Sequence, residues 1–228
     1  MSNLPIILAE TTTQRNPLNI IFSGGVTGIA IIALLALLSM IALALVVEHL
    51  LTIRRAVLLP ENIAQKVRQK VATGDLSGAN TVCQTQPCAL TAVLQAGLGE
   101  VPLGWNHVEK AMEETLAEQA ARLLRKIDYL SLIGNIAPMV GLLGTVVGMI
   151  FAFQSVADAQ GAARAADLAS GIYQALVTTV GGLIVAIPSL AAFAIFRNRI
   201  DKMVAEIGHA AQAAMVPLKS QLVGNLKH

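Results

Sequence analysis

The chain has 228 residues, of which 55% are hydrophobic and 13% charged, with a mean hydropathy of +0.66 and a formal net charge of +2. This composition is too apolar for an ordinary soluble domain and indicates a membrane protein. The small net charge, without a basic stripe interleaved with aromatic residues, argues against nucleic acid as a partner.

Three stretches without charged residues, 16–47, 129–157 and 168–196, are long enough to cross a bilayer as helices. We therefore predict an all-α membrane protein with transmembrane helices at 18–47, 129–157 and 168–196. No basic n-region precedes the first apolar run, which is also longer than the apolar core of a signal peptide. We expect it to remain as an anchor.

Lys and Arg cluster beside the same ends of these stretches, and such clusters mark the cytoplasmic side. The clusters are Arg54, Arg55, Lys66, Arg68 and Lys70; Arg122, Arg125 and Lys126; and Arg197, Arg199 and Lys202. The pattern predicts an inner-membrane protein whose segments 1–17 and 158–167 are periplasmic and whose segments 48–128 and 197–228 are cytoplasmic.

The segment 48–128 carries nine basic and nine acidic residues and reads as helical. We predict a helix over 61–73, a turn at 74–78, a second helix up to Gly97 and a break at 99–104. Asn106, with Glu109 three residues later, has the form of an N-cap at the start of a further helix. No helix breaker separates this helix from the second span, so both should form one helix of about 50 residues.

The third span should likewise continue as a cytoplasmic helix towards Pro217. Both extensions have one apolar face, and we expect these faces to be buried against each other and against further copies of the chain. At the end of the first span, Glu48 and His49 are read as a solvated interfacial pair. Cys83 and Cys88 form neither a disulfide framework nor a zinc motif, and we expect no metal and no cofactor.

Small residues and prolines stand out inside the second and third spans. Gly141, Gly144 and Gly148, together with Gly181 and Gly182, are candidates for close helix packing. Pro138 and Pro188 are candidates for helix bends, because a proline inside a helix lacks the N–H that its turn requires.

Polar side chains at mid-span form a second group of candidates, for a pore lining or proton pathway. Gln174, Thr178 and Thr179 lie in the third span, where an unpaired polar group is costly. A threonine hydroxyl can also bond to its own helix, so a structural role remains open for each threonine. The three spans contain no Asp, Glu, His, Lys, Arg or Cys. Any charge that such a lining serves must come from a partner.

The run 138–148, with Gly-Leu-Leu-Gly-Thr-Val-Val-Gly, resembles the second-helix signature of the MotA/TolQ/ExbB proton channel family, and 171–188 is similar to the third-helix signature. The match is nearest to ExbB and TolQ. Thr145 and Thr179 fall on the threonines that this family has in those helices. Gln174 departs from the pattern, because it stands where ExbB and TolQ usually have a glutamate, and an amide cannot carry a proton.

The resemblance implies a ring of five copies whose second and third spans surround a single-span partner of the ExbD, TolR or MotB type. The partner brings an aspartate into the pore, and Thr145 and Thr179 offer hydroxyls to it while proton flow drives rotation. Lipid and, for the ExbB branch, a TonB-like protein are further implied partners.

The sequence pattern also bears on three other functions. A passive membrane scaffold would use the small-residue faces only for packing. A secondary-transporter fragment is disfavoured because the chain shows no inverted repeat. An intramembrane enzyme is disfavoured because the spans offer no base, metal ligand or activated nucleophile.

Overall fold

The computed structural model describes residues 25–60, 62–158 and 165–224, and within these ranges it contains helices and no strand. The helices are α1 (Gly25–Thr52), α2 (Arg55–Leu58), α3 (Ile63–Ala72), α4 (Leu76–Thr85), α5 (Ala89–Gly99), a 3-10 turn (Val101–Leu103), α6 (Trp105–Asp158) and α7 (Ala165–Gly224). The predicted segment 1–17 and most of the predicted link 158–167 lie outside the described residues.

Helices α1, α6 and α7 are each long and apolar enough to cross a membrane. This confirms the prediction of an all-α membrane protein with three spanning helices. The prediction that the second span and the preceding amphipathic stretch form one helix is also confirmed, since α6 runs for 54 residues. Helix α7 continues through Pro217 to Gly224.

The start of α6 differs from the prediction. The helix begins at Trp105, so Asn106 lies inside it and is not the N-cap. Gly104, with a φ of +96°, ends the preceding 3-10 turn, and its carbonyl oxygen accepts bonds from the backbone N–H groups of His107 and Val108. Glu109 accepts instead from the indole Nε1 of Trp105 at 3.1 Å.

The prediction of one helix between the Gly74 turn and Gly97 is wrong, because α4 ends at Thr85 and α5 begins at Ala89. Pro87 lies between them and lacks the N–H that a continuous helix needs.

The turn itself is shorter than predicted, because α4 already begins at Leu76. The Asp75 carboxylate accepts a hydrogen bond from the Gly78 N–H at 2.8 Å, which caps this start. The Lys70 ammonium, 2.8 Å away, together with the Gly78 and Ser77 bonds, lowers the pKa of Asp75.

The described chain divides into two compact units. The first unit comprises, of the described residues, 25–38, 136–158 and 165–185. The second comprises 39–135 and 186–224, without residue 61, and holds an apolar core to which α3, α5, α6 and α7 all contribute. Examples of fully buried core residues are Val67, Leu90, Ile127, Ile200 and Ile207.

Part of the apolar face of the predicted cytoplasmic extension of α6 is buried within one chain. Val108, Met112 and Ile127 are buried, whereas Leu116 and Leu123 are only partly buried. Helices α5 and α6 approach so closely that a Cβ at Gly97 would lie 2.7 Å from Cγ of Met112. The short helices α3 to α5 therefore cover part of this face, and burial against further copies of the chain stays a prediction.

The expectation of a solvated pair at the end of the first span is wrong for His49 and holds for Glu48. Glu48 is exposed, whereas His49 is only 2% exposed. The imidazole Nε2 donates to the backbone oxygen of Lys126 at 3.1 Å, and the ring meets Phe196 edge-on with centroids 5.7 Å apart. Helix α1 does not end with its charge-free stretch at residue 47 but continues to Thr52, which carries His49 into the core of the second unit.

Candidate functional site

In the first unit, α6 and α7 meet along small residues. A Cβ built at Gly182 would lie 2.6 Å from the backbone oxygen of Ala137, and one built at Gly141 would lie 2.8 Å from the backbone oxygen of Thr178. Such distances leave no room for a side chain, so the two backbones touch directly. Of the predicted packing glycines, Gly141 and Gly182 lie at the closest part of this contact.

Gly144 and Gly148 lie further along the same contact. A Cβ at Gly144 would collide with the Thr178 side chain, and one at Gly148 would lie 3.0 Å from Cβ of Ala175. Residue numbers therefore rise along α6 as they fall along α7, which means that the two helices are antiparallel here. Gly181 does not face α6. A Cβ built at Gly181 would lie 3.5 Å from Cδ1 of Leu35 on α1, which is a normal van der Waals distance.

Two predicted threonines of α7 converge on one carbonyl of α6. The Thr178 hydroxyl lies 3.1 Å from the Gly141 oxygen, with the oxygen of Ala175 on its own helix as a second acceptor at 2.7 Å. The Thr179 hydroxyl lies 3.2 Å from the same Gly141 oxygen. The absence of a side chain at Gly141 lets both hydroxyls approach. Spans two and three are thus joined by polar bonds as well as by packing.

The other two candidates, Thr145 and Gln174, lie on α6 and α7 respectively. Thr145 is 9% exposed, and its hydroxyl donates to the Leu142 oxygen of its own helix at 2.7 Å. Gln174 precedes Thr178 by four residues, which places both on one face of α7, and it is half-buried. Among the four predicted pore residues, Thr145 and Thr178 are buried within the chain, whereas Gln174 and Thr179 remain partly accessible.

The two predicted helix-bending prolines lie inside unbroken helices, Pro138 in α6 and Pro188 in α7. Neither divides its helix. Pro138 lies one residue beyond Ala137, whose carbonyl oxygen faces Gly182.

Sequence reasoning missed the small residues that face the predicted glycines. Ala137, Ala152, Gly171 and Ala175 complete the contact, and a Cβ at Gly171 would lie 2.5 Å from Cβ of Ala152. The signal was present in α7, where the facing positions 171, 175, 178 and 182 follow one another in steps of four, three and four. That spacing keeps small residues on one side of a helix.

The site offers hydroxyl and amide groups but no group of its own that titrates near neutral pH, since the spans contain no carboxylate or imidazole. Within residues 25–60, 62–158 and 165–224, no cluster of His, Cys, Asp and Glu could hold a metal ion. The arrangement can therefore donate hydrogen bonds to a carboxylate supplied from outside the chain, but it cannot carry a proton by itself.

The curated relatives of this chain are each about twice as long as the segment that matches it. The chain is similar to the biopolymer transport protein exbB1 of Vibrio cholerae, with 34% identity over 112 residues, covering 47% of this chain and 49% of that protein. It is similar to the Tol-Pal system protein TolQ of Pseudomonas aeruginosa, with 34% identity over 97 residues, covering 42% of each. The chain thus spans about half the length of the curated relatives it matches.

Among solved structures, that of C. jejuni MotAB has a similar fold. The TM-score is 0.51 at 19% sequence identity, and the match covers 92% of this chain and 81% of that one. The model of the MotA/TolQ/ExbB proton channel family matches residues 89–209, more than half of the chain, including both helices of the threonine site. The chain therefore belongs to the MotA/TolQ/ExbB proton channel family.

Proposed function

We propose that this chain is the ring-forming subunit of a motor driven by the proton-motive force in the bacterial inner membrane. The observation that carries the proposal is the convergence of Thr178 and Thr179 on the carbonyl oxygen of Gly141. This places hydroxyl donors at a helix contact within spans that hold no acid or base. A single-span partner of the ExbD, TolR or MotB type would supply the proton-carrying aspartate.

In this mechanism, Thr179 exchanges acceptors. When the partner's aspartate is ionised, the Thr179 hydroxyl turns from the Gly141 oxygen to the carboxylate, while Thr178 retains its own bond to Gly141. An interhelical hydrogen bond in a membrane is worth about 0.6 kcal/mol on average. One proton crossing 100 mV releases about 2.3 kcal/mol. The driving force therefore exceeds the free energy of the bond that is exchanged.

Thr145 can donate to the partner's carboxylate without breaking a bond between α6 and α7, because its hydroxyl bond lies within α6. Gln174 would orient water or the partner's carboxyl group, since its amide both donates and accepts hydrogen bonds. None of these residues acts as an acid or base.

The proposed assembly has five copies around the partner helices, with the N-terminus periplasmic and the C-terminus cytoplasmic. The basic clusters support this orientation. The similar fold of the solved C. jejuni MotAB structure supports a MotB-like second component. The names of the relatives, a biopolymer transport protein and a Tol-Pal system protein, support work at the cell envelope. For the ExbB type of system, a TonB-like protein would receive that work.

The test is proton flux into vesicles that contain the chain and a co-expressed single-span protein, encoded beside it, with an aspartate in its span. Thr145→Ala and Thr179→Ala should lower the flux while leaving the oligomer intact. Thr85→Ala is a matched control, because the Thr85 hydroxyl also donates to the carbonyl three residues earlier, at 2.7 Å, but lies outside the spans. It should leave the flux unchanged.

Replacing the partner's aspartate with asparagine should abolish the flux. If an intact complex conducts no protons at all, the passive scaffold is the better description. If either threonine substitution disperses the oligomer, that threonine is a packing residue.

A further inference from the structure

A cavity of about 540 Å³ lies in the second unit, beside the N-terminal half of α6. One wall is basic and is formed by Arg122, Arg125 and Lys126, which lie on one face of the helix because they are three and four residues apart. Another part of the lining is apolar and includes Leu58 and Leu123. The cavity therefore combines a cationic side with a hydrophobic side.

The positive charge of this wall is only partly neutralised. Arg122 pairs with Glu118 at 2.7 Å. The Arg125 Nε donates to the backbone oxygen of Ala121 at 3.3 Å, which does not change its charge. Among the residues that the structure describes, no carboxylate forms an ion pair with Arg125 or Lys126. Two cations thus remain available to an anion.

The position of the wall along α6 determines which anions can reach it. Lys126 and Arg122 precede the charge-free stretch, which begins at Tyr129, by about 4.5 and about 10 Å at 1.5 Å per residue. The polar layer on each side of a bilayer is about 5 to 7 Å thick, and long basic side chains extend towards it. Lys126 therefore falls within the headgroup layer and Arg122 a few Å beyond it, within reach of a long side chain, whichever way the chain is inserted.

We propose that this cavity binds the phosphate-bearing headgroup of an anionic phospholipid. The basic wall would hold the phosphate, as basic pockets beside membrane helices do. Leu58 and Leu123 would pack against the glycerol and the first methylene groups. The volume falls within the range of sites that hold small molecules. An inorganic phosphate ion would make no use of the apolar side, which favours a lipid as the ligand.

The cavity contains its own chemical reporter. Cys88 lines it and is half-buried. Cys83 is 1% exposed, and burial, reinforced by the neighbouring Cys88 thiol, raises its pKa to about 11. The thiolate is the reactive form, so Cys83 stays unreactive near neutral pH and a maleimide reports on Cys88 alone. A bound headgroup should shield that thiol.

The experiment compares the rate of maleimide modification of the full chain in nanodiscs of phosphatidylcholine with and without phosphatidylglycerol. The ratio of the two rates is taken for each variant, so that any change in intrinsic thiol reactivity cancels. Phosphatidylglycerol should slow the reaction in the unmodified chain. The combined Arg122→Gln, Arg125→Gln and Lys126→Gln variant should lose this protection. Each charge removed should weaken the lipid affinity roughly fivefold.

The matched control is Arg197→Gln with Arg199→Gln and Lys202→Gln. These exposed cations follow the third span but do not line the cavity. The control should keep the protection. Lys126→Gln alone removes an exposed side chain that has no ion pair in the described chain, so it tests the site even if the triple variant fails to fold.

Three outcomes would overturn the proposal. Equal modification rates with and without phosphatidylglycerol would show that no anionic lipid occupies the cavity. Loss of protection in the control variant would show a general attraction of the basic belt for the anionic surface. Equal protection by inorganic phosphate in phosphatidylcholine alone would assign the cavity to a soluble anion.

Discussion

The hydroxyl of Thr178 lies 3.1 Å from the carbonyl oxygen of Gly141, a contact that joins α7 to α6 although 37 residues separate the two in sequence, and 2.7 Å from the oxygen of Ala175 on its own helix. Thr178 is 6% exposed, and the space left by Gly144 accommodates its side chain. Its burial favours a role in positioning the helices over direct contact with a partner.

Thr178→Val should therefore lower the free energy of unfolding by about 1 kcal/mol, which lies between the mean of about 0.6 and the maximum of about 1.7 kcal/mol for an interhelical bond in a membrane. Proton flux for each intact ring should stay close to that of the unmodified chain. Thr179→Val should lower the proton flux and should reduce the free energy of unfolding by less than Thr178→Val does. Thermal unfolding in detergent and flux in vesicles measure the two effects. Abolished flux in an intact Thr178→Val ring would place Thr178 in the proton pathway.

The adjacent glycines Gly181 and Gly182 should respond differently to alanine. A Cβ at Gly182 meets the backbone oxygen of Ala137 at 2.6 Å, whereas one at Gly181 meets only Cδ1 of Leu35 at 3.5 Å. Gly182→Ala should force the helices apart and lower stability by about 1–3 kcal/mol. Gly181→Ala should be neutral or slightly stabilising, because alanine favours a helix. Thermal unfolding checks both, and equal losses would contradict the helix contact described above.

His49 and Glu48 form a second adjacent pair with different expected effects. His49→Ala would empty a buried volume between α1, α6 and α7 and remove the bond to the Lys126 oxygen. Stability should fall by about 2 kcal/mol or more. Glu48→Ala removes an exposed side chain and should change stability by less than about 0.5 kcal/mol. Denaturant unfolding of both variants is the measurement, and a neutral His49→Ala would mean that this core tolerates the cavity.

Gln174 stands where the resemblance to ExbB and TolQ implies a glutamate. Gln174→Ala should reduce proton flux only partly, because an amide can orient a carboxyl group or water but cannot carry the proton. Gln174→Glu should be tolerated, since a buried carboxyl group can stay neutral. Flux through vesicles that contain the chain and its partner provides the measurement. Flux lost as completely in Gln174→Ala as on loss of the partner's aspartate would indicate an indispensable relay role.

The proposed orientation predicts which positions react with a membrane-impermeant maleimide applied from the periplasm. In a chain with Cys83→Ala and Cys88→Ala, Gln160→Cys should be modified, whereas Gly78→Cys and Lys219→Cys should be protected until the membrane is opened. The reason is that the basic clusters next to the spans favour the cytoplasm. Modification of the residue at position 78 from outside would reverse the assignment.

The fold class follows from the amino-acid sequence alone, because a membrane-spanning helix is a local property of about 20 consecutive apolar residues. The sequence also predicted the long α6, since no glycine or proline interrupts the pattern between Trp105 and the second span. The run 138–148 was sufficient to indicate the family. The predicted N-cap at Asn106 is wrong. The carbonyl oxygen of Gly104 accepts the first backbone hydrogen bonds of α6, and the Glu109 side chain bonds to Trp105 and not to the backbone of Asn106.

Which polar and small residues face one another follows from the packing of the helices and not from the sequence pattern. Periodicity shows that Gly141 and Gly144 share a side of α6, but it does not show that Thr178 lies opposite them. That pairing depends on the register of the two antiparallel helices. The register is determined by all the contacts between them, from Ala137–Gly182 to Ala152–Gly171. For the same reason, His49 appeared solvated in the sequence but is buried by residues of α6 and α7 that are distant along the chain.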